Sequence, residues 1–155
     1  MNKDLLSLKQ KWVKEGNLEV GRDIYYLVKN EFNLIKNIVE YMILISPNNF
    51  ELLNLKEFIE AKNEFQIAHK KFGYIRNLLR YEEENNRIKD NNRICLLYVI
   101  EIVLKLIYNS TNPKDPFDSD TGWWLVLNFR SFLQTFNDEE ILENGWIVIE
   151  NNLSN

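Results

Sequence analysis

His69 is the only histidine in the chain, so side-chain proton transfer near neutral pH has one natural centre. Joined to a carboxylate such as Glu64 or Glu101, it would make a general-base dyad, provided both groups meet in one cleft. The same count removes zinc helices that need two histidines. No Glu-x-x-His pair of the carboxylate di-metal type occurs, and there is no nucleophile elbow and no phosphate-cradling glycine loop. Cys95, the single cysteine, allows no internal disulfide and no multi-cysteine zinc site. It lies in an apolar run, where a buried structural thiol is expected and a reducing compartment suits it. No catalytic residue, cofactor site or metal site is assigned from these residues.

Asp115-Pro116-Phe117-Asp118-Ser119-Asp120-Thr121-Gly122 has the alternating carboxylates of a calcium loop. With Asp118 at position one, however, glycine falls at position five instead of six, and Phe129 stands where the bidentate glutamate belongs. A loop with helix-capping carboxylates is the simpler reading. Lys70, Lys71, Arg76, Arg80 and Arg87 cluster in one helical region. They leave a nucleic-acid-binding regulator as an alternative, although a net charge of −4 weighs against it. Glu82-Glu83-Glu84 reads as a solvated face.

The charge is divided unevenly. From Asp115 onward eight acids face one base, Arg130, a formal charge of −7 that leaves +3 on residues 1–114. Three of the four tryptophans, Trp123, Trp124 and Trp146, lie in the acidic part. An acidic, aromatic-rich surface suits a basic protein partner. The expected contact residues are Asp115, Asp118, Asp120, Glu139, Glu140 and Glu143, with Trp123 or Trp124 as an anchor.

The elements that must position these residues are helical. With 155 residues, 45% hydrophobic, and only five glycines and three prolines, the chain suits a single all-α domain with its own core. Leu5, Leu8 and Trp12 form the stripe of a first helix over 3–15, stopped by Gly16. Gly21 or Asp23 opens a long second helix whose apolar period runs from Ile24 to Ile45 and must end before Pro47. Leu52 to Leu79 forms one long helix or two short ones, with Gly73 as a candidate break. Asp90 is placed to cap the most apolar helix, 91–108, expected at the centre. Its apolar stretch, 94–108, is too short for a bilayer and contains Glu101 and Lys105. Asp120 or Thr121 caps a helix over 122–136, and Asn137 or Asp138 caps a last one; 146–149 reads alternatively as a short strand. The expected architecture is a bundle of about six helices around 91–108.

Tyr108-Asn109-Ser110-Thr111-Asn112-Pro113, followed by Pro116 to Trp124, resembles a stretch in small helical bacterial proteins encoded beside secreted polymorphic toxins, of the contact-dependent inhibition type, as their immunity proteins. The resemblance covers roughly a tenth of the chain and carries no catalytic pattern. It implies a cytoplasmic protein that binds a cognate toxin domain and blocks its active site. Many such toxins are basic nucleases, which an acidic surface would capture quickly. Neither nucleic acid nor membrane is then an expected partner, and a homo-oligomer stays open.

Overall fold

The computed structural model describes residues 3–85 and 91–154. Among them are eight α-helices: α1 (Lys3–Lys14), α2 (Leu18–Tyr26), α3 (Glu31–Ile45), α4 (Phe50–Glu60), α5 (Ala68–Asn85), α6 (Asn91–Thr111), α7 (Thr121–Gln134) and α8 (Glu139–Glu150). A 3-10 turn, Lys62–Ile67, joins α4 to α5. The fold class is all-α, with eight helices where about six were expected. Asp90 and Arg87 lie outside the described residues.

The extra helices come from two breaks. The long second helix is divided at 27–30 into α2 and α3. The apolar period continues across the break because both helices present their faces to one core. Asn17 and Asn30 cap the two pieces, accepting from Val20 N and Asn33 N at 3.0 and 2.9 Å. The C-terminal segment secures the gap: Lys29 N donates to Asn152 O, Ser154 N donates to Leu27 O, and Val28 bridges Leu153. The second break falls at the 3-10 turn. Gly73 lies inside α5, with nothing within 4 Å of where a Cβ would stand.

α6 is the centre, flanked by α5 and α7. At 21 residues it is longer than the 94–108 stretch and reaches the length and hydropathy of a membrane span. Most of it is buried among the other helices, and its charges Glu101 and Lys105 are ion-paired. That is the environment of a core helix.

α7 crosses α2 at close range. A Cβ on Gly122 would stand 2.2 Å from the Tyr25 ring, and one on Gly21 2.8 Å from the Trp123 carbonyl oxygen. Only glycine permits that approach. Trp12 packs on Phe129 and Trp146, and its indole donates to Val126 O at 3.0 Å. Residues 146–149 are helical, within α8, so the strand alternative is set aside. Arg130, the one base of the acidic segment, donates to the carbonyls of Trp12 and Val13 at the end of α1. Cations suit that end of a helix.

Candidate functional site

A groove of about 260 Å³ lies between α6 and α7. Tyr98, Ile102 and Lys105 of α6 form one wall at three- and four-residue spacing, with Glu101 beside them. Trp124 and Asn128 of α7 form the other, and the loop between the helices contributes Asp118 and Asp120. Trp124 is 44% exposed, whereas Trp123 is half-buried.

The loop is held by residues other than its acids. Asn109 Oδ1 accepts from Phe117 N at 2.6 Å. The Phe117 ring sits 5.0 Å from both Phe72 and Tyr108. The Lys105 ammonium stands 5.4 Å from the Phe72 ring centre and 5.7 Å from that of Phe117, while pairing with Glu101 at 3.3 Å. The Thr121 hydroxyl donates to Asp118 O at 2.5 Å.

Asp120 occupies the cap position of α7 but does not cap it through its side chain. A capping side chain needs extended backbone. Asp120 has ψ 11°, and its carboxylate accepts no hydrogen bond from the first amides of α7. Asp138, extended at φ −133° and ψ 112°, accepts from Glu140 N and Ile141 N and caps α8. The Asp118 and Asp120 carboxylates are therefore left to the groove. Together with Asp115 they enter no ion pair among the described residues.

The other acids around α6 are engaged internally. Glu101, 4% exposed, pairs with Arg76 at 3.2 Å as well as with Lys105. Arg93 reaches Glu51 at 2.6 Å and Glu82 at 3.0 Å. Burial pushes the Glu51 carboxyl up, but the hydrogen bond and charge of Arg93, with a backbone bond, outweigh it and leave the group below its ordinary range. Glu83 accepts from the Tyr98 hydroxyl. Glu82 and Glu83 are thus not on a solvated face; only Glu84 of that run is exposed.

The expected acidic surface falls into two patches. Glu139, Glu140 and Glu143 lie on α8, which begins beyond the C-terminal end of α7, while Asp118 and Asp120 lie at its N-terminal end. The fourteen residues of α7 separate these ends by about 21 Å. Glu143 pairs with Lys9 at 2.7 Å. Tyr41 donates to Ile141 O nearby, and burial, then Asp138 and Glu140, push its hydroxyl up.

The alternative chemistries are not assembled. His69 is exposed on α5, with its ring 5.7 Å from that of Tyr108, and no carboxylate among the described residues hydrogen-bonds it. Glu64 is exposed on the 3-10 turn. Among the basic residues, Arg76 is engaged by Glu101 and Lys71 lies 5.2 Å over Phe58. Lys70 and Arg80 are exposed but about 15 Å apart along the helix. Cys95 is half-buried, and burial pushes its thiol up, away from the reactive thiolate. Among the described residues no group of three or more His, Cys, Asp or Glu side chains is arranged to hold a metal ion.

The α6 wall escaped the sequence reading. The 98-102-105 spacing was available as a signal, but only the fold shows which side of a nearly all-apolar helix faces a groove. No family model, no curated protein and no solved structure matches this chain.

Proposed function

We propose that this protein is a non-enzymatic binding protein, an immunity protein that neutralises a cognate basic toxin domain of the nuclease type in the cytoplasm. One observation carries the reading. Two carboxylates without an ion pair, Asp118 and Asp120, stand beside an exposed tryptophan, Trp124, in a groove whose loop is fixed by other residues. Carboxylates fixed in place without an internal role steer a basic partner by long-range attraction. Trp124 supplies the desolvated anchor that such interfaces use. Asp115, exposed in the same loop, would add to that attraction from outside the groove. Glu139, Glu140 and Glu143 meet a second part of the partner; their separation of about 21 Å falls within a standard interface of about 800 Å² per partner.

Co-expression with neighbouring toxin-like open reading frames tests this. One of them should arrest growth alone and be neutralised when this protein is present. Toxicity that this protein never relieves, or neighbours that are all harmless, would remove the proposal's support.

A further inference from the structure

A second groove, of about 350 Å³, lies between α4 and α5 with α6 as its floor. The 3-10 segment Lys62–Ile67 joins the two helices that form its walls. Leu55, Ile75, Ile100 and Leu104 give it an apolar base. Phe50, 74% exposed, and Tyr74, 65% exposed, flank it. Large aromatic rings held in water beside an apolar hollow mark a surface suited to being covered. Lys70 and Lys71 also line it.

Charge decides what fits. Glu51 is the acid in the lining, and Arg93 holds it at 2.6 Å. Arg93 also pairs with Glu82, and the lining itself carries the one negative charge of Glu51. The two lysines outweigh it, and the groove is net positive. Its volume lies at the low end of small-molecule sites, roughly 300–1,000 Å³, which are also mostly apolar with a few convergent polar groups.

We propose that the α4–α5–α6 groove binds a free small amphiphilic carboxylate, its apolar body on Leu55, Ile75, Ile100 and Leu104 between Phe50 and Tyr74, and its anionic head at Lys70 and Lys71. The lysine stems cover apolar surface, and the head meets the Lys70 ammonium together with that of Lys71, which keeps its place 5.2 Å over the Phe58 ring. The site shares no lining residue with the α6–α7 groove and does not depend on the toxin reading.

Decanoate, kept below micelle formation, is the probe, with decyltrimethylammonium as the charge-reversed control and calorimetry as the readout. Decanoate should bind saturably at one site, at least tenfold more tightly than the cation. Lys70→Gln/Lys71→Gln should weaken it at least tenfold and abolish the preference for the anion. Phe50→Ala/Tyr74→Ala should weaken both amphiphiles, and melting of each unliganded variant should match wild type, showing that the fold is intact. Absence of saturable decanoate binding, equal affinity for the two head groups, or affinity unchanged in both variants would overturn the proposal. So would sedimentation with phosphatidylglycerol vesicles in the absence of free-decanoate binding, because the groove would then be a membrane contact.

Discussion

The two flanks of α6 treat carboxylates in opposite ways. Toward α4 and α5, Glu51 and Glu82 are largely buried and answered by Arg93, and Glu101, which also borders the α7 groove, is answered by Arg76 of α5 and by Lys105. Toward α7, Asp118 and Asp120 line the groove and enter no ion pair among the described residues. A buried carboxylate without a partner is costly, so the first flank fixes helix positions. An exposed carboxylate without a partner costs the fold little and remains free to attract something else. The difference separates acids that build the protein from acids available for function.

The strongest test of this contrast is Arg93→Ala. It leaves Glu51 and Glu82 without their shared cation and should cost about 3–5 kcal/mol, read by denaturant unfolding. A loss below 1 kcal/mol would place the triad among ordinary surface pairs.

At the α2–α7 crossing, Gly122→Ala drives a methyl into the Tyr25 ring and should cost about 1–3 kcal/mol. Gly73→Ala has open space and should stabilise by about 0.5–1 kcal/mol. Equal effects at the two sites would show that the α2–α7 crossing is not close-packed.

The two cap positions give a smaller contrast. Asp138→Ala removes a capping side chain and should cost about 0.5–2 kcal/mol, whereas Asp120→Ala should change stability by less than about 0.5 kcal/mol. If Asp120→Ala melts as early as Asp138→Ala, its carboxylate serves the fold after all.

Acid titration gives the mildest effect. Glu51 titrates below its ordinary 4.5 in the fold. Its contribution is therefore present at neutral pH and is lost as pH falls below that value. The stability gap between wild type and Glu51→Gln should narrow on acidification, measured by melting at pH 7 and pH 3. A gap that widens in acid would reverse the sign.

The helical class was legible because period and scarce glycine and proline act locally. α1, α6 and the bulk of α7 follow directly from apolar spacing. The α2–α3 break was not legible, since Ile24 to Ile45 keeps one period across two helices that share a core. Asp120 looked like a cap by residue type, but capping depends on ψ. Glu82 and Glu83 looked solvated because Arg93 and Tyr98 reach them only through tertiary packing. In the candidate groove, the sequence singled out Asp118, Asp120 and the tryptophan pair by residue type, and the fold brings Asp118, Asp120 and Trp124 together. The choice of Trp124 over Trp123 and the division of the acids into two patches depend on helix rotation and helix length.

We propose that Asp118 and Asp120 serve a basic partner. If co-expression identifies a toxin domain as that partner, the most direct measurement is its association rate with wild type and with Asp118→Asn/Asp120→Asn, followed by stopped flow across salt concentrations. The double variant should associate several-fold more slowly at low salt and converge with wild type at high salt, where screening removes steering. Its melting temperature should stay unchanged. Association at the wild-type rate in low salt would contradict the assignment of these carboxylates to binding.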